Sequence, residues 1–340
     1  SACLAHDIGN PPFGHSGEDS IREWVGSNRQ KLSDAGLAAD EINELSSFEG
    51  NALGFRILVR HQQPQEGGLR LTSATLAAGA KYPCPHSGGW QKAITHRKKY
   101  GYFKGDAGIF AQVAESTGLK RDGEGWKRHP LAWLVEAADD IVNAIVDLED
   151  GFRMHVIPYD DAERLLRAIA ARSGNLEERE QRYRNAGPRN HLAALRSRAL
   201  GILVGDVCKS FMAKRNDILD GSHNKPLLEM SDSIGDLQEI KKSVEKRCFM
   251  HPDVLSVEIA GHTVVGAILD ALMEAAIFQP EAKISKKLVA NMDLIVSNNP
   301  RANPYLATLE VLEFLAGMTD RFAVTSYRRL RGIELPGRAG

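Results

Sequence analysis

Apolar residues recur along this chain at the spacing of α-helices, and the alternating pattern of a half-buried β-strand is nearly absent. The densest stripe comprises Leu131, Leu134, Val135, Ala138, Ile141, Val142, Ile145, Val146 and Leu148. His129-Pro130 stands just before this stripe, and proline is favoured in the first turn of a helix. The pattern therefore predicts an all-α fold.

Further helices are predicted where shorter apolar stripes follow polar caps or glycine and proline breaks. We expect them at about residues 14–25, 38–45, 51–59, 72–78, 109–118, 160–172, 191–215, 264–276, 283–297 and 305–330. Residues 81–108 contain many glycines and little periodicity, so we predict a long loop there. Residues 256–262 fit either a strand or the start of a helix.

Composition, charge and cysteine usage exclude several classes of protein. The 340 residues are 43% hydrophobic and 26% charged, which is ordinary for a globular protein. A net charge of −1 gives no polybasic character that would indicate nucleic acid. The four cysteines are scattered without a CxxC pair, which argues against a zinc ribbon or disulfide scaffold and favours the cytoplasm. No apolar run approaches the ~20 residues of a membrane span, so no membrane is expected.

Two histidines and two carboxylates stand close together at the start of the chain, in the run Leu4-Ala5-His6-Asp7-Ile8-Gly9-Asn10-Pro11-Pro12-Phe13-Gly14-His15-Ser16-Gly17-Glu18. His6 and Asp7 offer a nitrogen and a carboxylate oxygen, which suit Mn, Fe, Ni, Co or Zn better than Mg alone. Neighbours on a helix point about 100° apart, so this pair can reach one ion only at a helix end or break. Gly9 and the two prolines supply that break.

His15 and Glu18 follow the break three positions apart, so they share one face if a helix restarts there. Histidine titrates near neutral pH, and a carboxylate one turn away fixes its tautomer and raises its basicity. The pair is therefore a candidate for proton transfer. The alternative is that His15 serves only as a helix cap.

The whole run resembles the signature A-H-D-I-G-N-P-P-F-G-H-x-G-E of the HD-domain phosphohydrolases, in particular the deoxyguanosine triphosphate triphosphohydrolase (dGTPase) family. The resemblance continues along the chain at Phe48-Glu49-Gly50-Asn51-Ala52, Leu71-Thr72, Lys81-Tyr82-Pro83, Lys99-Tyr100-Gly101-Tyr102-Phe103, His129-Pro130-Leu131, Glu136-Ala137-Ala138-Asp139-Asp140-Ile141 and Gly317-Met318-Thr319-Asp320-Arg321. It implies an HD-domain helical fold with additional C-terminal helices. We expect a catalytic core at residues 1–155 and a helical C-terminal region, packed on that core, at residues 156–340.

The resemblance also implies a metal site. HD-domain enzymes hold an ion with a His, a His-Asp pair and a distant Asp, and here His6 and Asp7 resemble the pair and Asp139 the distant ligand. The remaining His should precede the motif. None of the five residues before His6 is a histidine. Two interpretations therefore stay open: the N-terminal part of the core, with that ligand, precedes Ser1, or the metal site is incomplete. The ion would be Mn, Mg, Fe, Ni, Co or Zn.

Other positions acquire roles by the same resemblance. His15 resembles the catalytic histidine of the family and Glu18 the carboxylate that orients it. Asp147 resembles the residue that reads the sugar 3′-hydroxyl. Asn143 stands where the family commonly has a Tyr packed on the deoxyribose, and a Tyr ring there would exclude a 2′-hydroxyl by its bulk.

Further contacts with the substrate are expected from motif residues elsewhere in the chain. The candidates are Asn10, Glu49, Lys99 and Tyr100. Asn10 would contact phosphate or a neighbour in the His-Asp motif, and Lys99 would supply a cation for the triphosphate. For Arg56 and Arg60 two interpretations stay open, a triphosphate contact and an ordinary surface charge. Asp320, Arg321 and Tyr327 would brace the pocket or a contact between subunits.

The function implied is metal-dependent hydrolysis of dGTP, or of other dNTPs, to the deoxynucleoside and inorganic triphosphate. One alternative is a nucleotidase or phosphodiesterase of the same superfamily with another specificity. Another is a non-catalytic sensor of nucleotides or single-stranded nucleic acid. The family forms multimers, commonly hexamers, with allosteric nucleotide sites, so we expect a homo-oligomer with an allosteric nucleotide.

Overall fold

The computed structural model of the chain describes residues 1–60, 68–87, 94–174, 183–292, 294 and 302–334, and in these residues the protein is predominantly helical. The α-helices are α1 Ala2–Ala5, α2 His15–Ser27, α3 Arg29–Asp34, α4 Ala39–Ser46, α5 Gly50–Arg60, α6 Ser73–Gly79, α7 Ala107–Ser116, α8 Ala132–Arg153, α9 Tyr159–Ala170, α10 Pro188–Ala213, α11 Arg215–Asp220, α12 Ile234–Val244, α13 Pro252–Met273, α14 Lys283–Met292, α15 Pro304–Ala316 and α16 Asp320–Leu330. The prediction of an all-α fold is confirmed.

Short irregular helices and one small sheet complete the description. The 3₁₀ turns are Thr95–Arg97, Lys104–Asp106, Ala171–Ser173 and Leu227–Met230, and π-helical turns follow α12 and α13 at Glu245–Phe249 and Glu274–Phe278. Strands β1 (Arg121–Asp122) and β2 (Gly125–Trp126) pair antiparallel. The hairpin was not predicted, although Gly123, with a φ of 60°, is the first of its two loop residues, a position where hairpins favour glycine.

The chain forms two compact units. The first comprises residues 1–127 and 257–340, and the second comprises residues 128–256, so the second is inserted in the chain between the two parts of the first. The predicted division into residues 1–155 and 156–340 stays a prediction. These compact units are cut elsewhere, after Lys127 and after Ser256.

Each unit has its own core. In the first unit, one cluster combines α2, α4 and α5 with helices from the C-terminal part, and its fully buried members include Ile21, Leu53, Val265 and Leu312. A smaller cluster in the same unit contains Phe55 and Phe110. The core of the second unit collects the inner faces of α8, α9, α10 and α12. The apolar stripe predicted on α8 supplies Ile141, Ile145 and Leu148 to that core, while Val142 and Val146 stay exposed.

Most helix boundaries follow local sequence signals. Where the observed boundaries differ from the predicted ones, the cause can be identified. Residues 305–330 form two helices because Thr319 caps α16, accepting the Phe322 N–H at 3.2 Å. Residues 256–262 lie inside α13, which settles the choice between strand and helix. Of the predicted end of the helix at residues 293–297, only residue 294 is described, and residues 88–93 of the predicted loop at 81–108 lie outside the described residues.

Helix α13 and the turn after it contradict the expectation that no apolar stretch approaches the length of a membrane span. Pro252–Phe278 is long and apolar enough to cross a membrane by length and composition, with a mean hydropathy of 1.5. This is weak evidence, since the core helix of a soluble protein passes the same test. Within the described residues of the first unit, Val265, Ile268 and Leu272 are fully buried in the core, while Val257 and Ile259 are exposed.

A buried charge network joins α5 to α15. The Arg56 side chain is 2% exposed, and its Nη1 donates to both Asp106 oxygens, at 3.1 and 3.2 Å. Arg56 Nε donates to Glu313, and Arg60 Nε donates to Asp106. The interpretation of Arg56 as a surface charge is therefore wrong. A cation held between two buried carboxylates belongs to the core, because each carboxylate would be costly to bury alone.

Replacing Arg56 by Leu should lower the free energy of unfolding by about 3–5 kcal/mol, because Asp106 and Glu313 lose their buried counter-charge. Chemical denaturation followed by circular dichroism measures the change. The matched control is Lys286→Leu, which removes an exposed pair with Glu281 at 2.8 Å and should cost at most about 1 kcal/mol. Equal effects of the two variants would contradict the role of the network.

Candidate active site

The chain breaks between the His-Asp pair and α2, as the glycine and proline pattern predicts. Helix α1 ends at Ala5, and His6 is the residue that closes it. Helix α2 restarts at His15 after a turn in which Phe13 and Gly14 have φ angles of 64° and 57°. The break lets adjacent side chains leave the helical spacing, and it places His15 in the first turn of a new helix.

His6 and Asp7 lie side by side at the end of α1. His6 Nε2 is 3.0 Å from Asp7 Oδ2, and His6 Nδ1 is 2.8 Å from the Cys3 carbonyl oxygen. With Nδ1 protonated, the imidazole donates to that carbonyl and turns Nε2 toward the carboxylate. Histidines that bind metals are commonly oriented in this way by a main-chain oxygen. The donor types and their orientation therefore fit two ligands of a transition-metal ion.

His15 is an exposed imidazole held by a buried carboxylate. Its Nδ1 is 3.1 Å from Glu18 Oε2, and the two side chains are 91% and 4% exposed. The hydrogen bond to Glu18 raises the pKa of His15, against an opposing effect of partial burial. Glu18 thus fixes the His15 ring through Nδ1, while Nε2 remains able to reach a bound molecule. A residue that transfers protons requires this arrangement.

Glu18 remains ionised although it is buried. Burial alone would raise the pKa of its carboxyl group, but the hydrogen bonds from His15 and from the Gly50 N–H, together with the charges of Lys99 and Arg22, lower it below its usual value. The Gly50 N–H donates to Oε1 at 2.8 Å, and Arg22 Nη2 lies 3.2 Å from Oε2. Glu18 therefore ties α2 to the first turn of α5.

Glu49 and Lys99 extend this group of charges. Lys99 Nζ is 2.9 Å from Glu49 Oε2, and Arg22 Nη2 is 3.6 Å from Glu49 Oε1. Burial raises the pKa of Glu49, even though Lys99 and Arg22 oppose the change. Arg22 was not among the residues predicted from the sequence. Its signal is the spacing of four residues from Glu18, which puts both on one face of α2.

Asn10 and Tyr100 lie in different surroundings. Asn10 is exposed in the turn, and its side-chain oxygen packs against Gly50. Tyr100 is 1% exposed, and its hydroxyl donates to the Glu44 main-chain oxygen at 3.1 Å. This places Tyr100 in the core of the first unit, and its contact with a substrate stays a prediction.

Glu44 forms hydrogen bonds that hold residues 100–104, the segment after Lys99. Its buried carboxylate accepts the Lys104 N–H at 2.9 Å and a hydrogen bond from the Tyr305 hydroxyl. Burial raises the pKa of Glu44 to about 7, although both hydrogen bonds act in the opposite direction. Residues 100–104 are thereby anchored to α4 and α15, which limits where Lys99 can lie.

The other predicted site residues share one face of α8 in the second unit. Asn143 Nδ2 donates to Asp139 Oδ1 at 2.8 Å, and Asp147 follows one turn later. Burial, and then the nearby charge of Asp150, raises the pKa of Asp147. Asp140 Oδ1 lies 3.1 Å from Lys241 Nζ, and the Asp140 side chain is 40% exposed. The structure thus brings together Asp139, Asn143 and Asp147.

A complete metal site is not assembled within the described part of the chain. Among those residues, no group of three or more His, Cys, Asp or Glu side chains is arranged to hold an ion. His6 and Asp7 provide two donors in the first unit, and Asp139 belongs to the second. The assignment of Asp139 as a ligand stays a prediction.

Comparison with known proteins identifies the family of this chain. Residues 228–329 match the family model described as a phosphohydrolase-associated domain. A deoxyguanosinetriphosphate triphosphohydrolase-like protein of Synechocystis is 38% identical over 98% of this chain and 77% of its own length. One from Listeria monocytogenes is 30% identical with the same coverage, and a deoxyguanosinetriphosphate triphosphohydrolase of Klebsiella pneumoniae is 28% identical. The chain belongs to the deoxyguanosinetriphosphate triphosphohydrolase family.

Replacing Glu18 by Gln should lower the pKa of His15, because the hydrogen bond and the negative charge that favour the imidazolium are both lost. An NMR titration of the imidazole resonances measures this. The control is Asp19→Asn, which removes the adjacent exposed carboxylate that contacts Arg22 at 2.8 Å rather than His15. An equal shift in both variants would show that general charge, and not the Glu18 contact, sets the pKa.

Proposed function

We propose that this protein is a metal-dependent triphosphohydrolase that converts dGTP, or other dNTPs, to the deoxynucleoside and inorganic triphosphate. The observation that carries this proposal is the exposed His15 imidazole on the buried Glu18 carboxylate, at the turn after His6-Asp7, in a chain of this family. The relatives bear dGTP hydrolysis in their names, and the substrate class follows from them.

The proposed reaction adds water across the bond between the 5′ oxygen and the α-phosphorus. The water oxygen bonds to phosphorus, the ester bond breaks, one proton leaves the water and one reaches the 5′ oxygen. His15 transfers a proton in this exchange, and its raised pKa favours a group that holds a proton near neutral pH. Glu18 keeps the imidazole oriented and stabilises its protonated form.

His6 and Asp7 would hold the metal ion. The fit rests on the imidazole being fixed through Nδ1 by the Cys3 carbonyl, with Nε2 beside the carboxylate. When bound, such an ion supplies Lewis-acid polarisation of the phosphate and lowers the pKa of a water. Asp139 is proposed as a further ligand on the family resemblance, and the choice among Mn, Mg, Fe, Ni, Co and Zn is open.

Substrate binding is proposed for residues of both units. A triphosphate needs cations, and Lys99 is partly exposed beside the site while Glu49 holds its ammonium group. Asn10, exposed in the turn, is proposed to contact phosphate. Asn143 and Asp147 are proposed to face the sugar, where a carboxyl of raised pKa is a suitable acceptor for the 3′-hydroxyl. Tyr100 would act only through the position of its segment.

Several properties expected from the resemblance stay predictions. These are assembly into a homo-oligomer such as a hexamer, binding of an allosteric nucleotide, binding of single-stranded nucleic acid, and a cytoplasmic location. An assay against all dNTPs and NTPs with each metal, followed by identification of the product, tests the proposed reaction. Free tripolyphosphate supports it. Monophosphate or pyrophosphate would indicate a nucleotidase or phosphodiesterase instead, and nucleotide binding without turnover would indicate a sensor.

Replacing His15 by Ala should reduce triphosphate release by about 10²–10⁴-fold, the range for loss of a general acid or base. Asp7→Ala should abolish release and lower the metal content of the purified protein. The matched control is His262→Ala, which removes another histidine of the first unit that lies 3.0 Å from a carboxylate, Glu23. Activity that persists in both His15→Ala and Asp7→Ala would refute the assignment.

Replacing Asn143 by Tyr should increase the ratio of dGTP to GTP turnover, because a ring at this position leaves less room for a 2′-hydroxyl. The parent protein should in turn hydrolyse GTP measurably. Steady-state kinetics with each nucleotide gives kcat/KM for the comparison. Val142→Tyr adds the same ring on the adjacent exposed position and should leave the ratio unchanged. An equal change of the dGTP-to-GTP ratio in both variants would contradict the assignment of Asn143 to the sugar site.

A further inference from the structure

The turn that leads into His15 has an unfavourable backbone conformation. Phe13 and Gly14 both have positive φ angles, 64° and 57°. Glycine adopts such angles without steric cost, but a bulky residue such as Phe rarely does. Residues of this kind persist only where their surroundings hold them, and they concentrate at functional sites. Some contact must therefore maintain the turn.

Asp320 provides one such contact. The Phe13 N–H donates to Asp320 Oδ1 at 2.9 Å, across a separation of 307 residues. Asp320 lies in the first turn of α16, but Thr319 caps that helix through the Phe322 N–H. Because the capping bond belongs to Thr319, the Asp320 carboxylate is available to fix the Phe13 backbone. A charged acceptor makes this a stronger bond than a neutral one would.

Helix α13 holds the same turn from another side. The Phe13 ring lies directly against Gly261, where an added Cβ would be 2.4 Å from Phe13 Cγ. Two serines of α2 donate to main-chain oxygens of α13 at this place: Ser16 Oγ to Glu258 at 2.6 Å and Ser20 Oγ to His262 at 2.7 Å. The start of α2 is therefore fixed at the backbone, at the ring and along the helix.

We propose that Asp320 and Gly261 are positioning residues for His15, holding the Phe13–Gly14 turn in the conformation that sets the direction of the imidazole. This rests on the proposed function in assigning catalysis to His15. Both residues lie in the part of the chain that matches the phosphohydrolase-associated domain, residues 228–329. The proposal gives that domain a direct role in the geometry of the catalytic turn.

Asp320→Ala tests the backbone contact. It should lower kcat by about 10- to 100-fold, since a misplacement of about 1 Å at a catalytic group can cost 10²-fold. KM should change little, because the Asp320 carboxylate accepts from the Phe13 N–H, whereas the ammonium group of Lys99, the proposed triphosphate cation, pairs with Glu49. Asp320→Asn retains an oxygen acceptor of the same reach and should restore most of the activity. Gly261→Ala, which pushes the Phe13 ring aside without weakening the helix, should reproduce the kcat loss.

Amide hydrogen exchange at Phe13 gives a readout that does not depend on activity. The Phe13 N–H should exchange much faster in Asp320→Ala than in the parent, while the Gly50 N–H bound to Glu18 should keep its protection. The matched control is Asp253→Ala. Asp253 is another exposed aspartate in the first turn of a helix, α13, and its removal should leave kcat and Phe13 exchange unchanged.

Unchanged Phe13 exchange in Asp320→Ala would overturn the inference, whatever the activity. Faster exchange with an unchanged kcat would also overturn it, because the contact would then be structural only. If the parent protein hydrolyses no nucleotide, the proposed function fails. Phe13 exchange and the His15 ring resonances in the variants then decide separately whether Asp320 and Gly261 position the imidazole.

Discussion

One buried carboxylate must stay ionised for the first unit to form its site. The Glu18 side chain is only 4% exposed, and burying an unpaired charge there would carry a large free-energy cost. Donors from three directions offset this cost: the imidazole of its own helix, a main-chain N–H of α5 and the guanidinium of Arg22. The same hydrogen bonds that keep Glu18 charged also fix where α2 lies against α5. The orientation of His15 and the packing of two helices are thus consequences of one interaction.

Positive and negative charges alternate around this carboxylate. Arg22 lies between Glu18 and Glu49, and Glu49 in turn contacts Lys99. An anionic substrate that attracts Lys99 would take a cation from Glu49, whose carboxyl group already has a raised pKa because of burial. Glu49 can then take up a proton more readily than an exposed glutamate. Binding of phosphate and protonation of Glu49 are therefore expected to favour each other.

Helix breaks and the residues that share a helix face were predictable from the sequence, whereas contacts between residues far apart in the chain were not. The glycine and proline break after Asp7 and the shared face of His15 and Glu18 follow from spacing alone, and both agree with the structure. Arg56 was ambiguous because a cation on an amphipathic helix looks the same whether it meets water or Asp106 and Glu313. Tyr100 was expected beside a substrate, yet its hydroxyl bonds Glu44, 56 residues earlier. The contact between Phe13 and Asp320 joins two recognised motifs, but neither motif contains a sign of the other.

The insertion of the second unit into the chain has a consequence for biosynthesis. Residues 128–256 form a continuous segment with their own core, whereas the core around α2 needs α13 and α15, which the ribosome makes much later. The second unit can therefore fold while synthesis continues, since domains generally fold as units. The N-terminal motif must wait, with its apolar helix faces uncovered, until the last helices emerge. During that interval the turn before His15 lacks the contacts that hold it, and this is the stage at which we expect the greatest need for a chaperone.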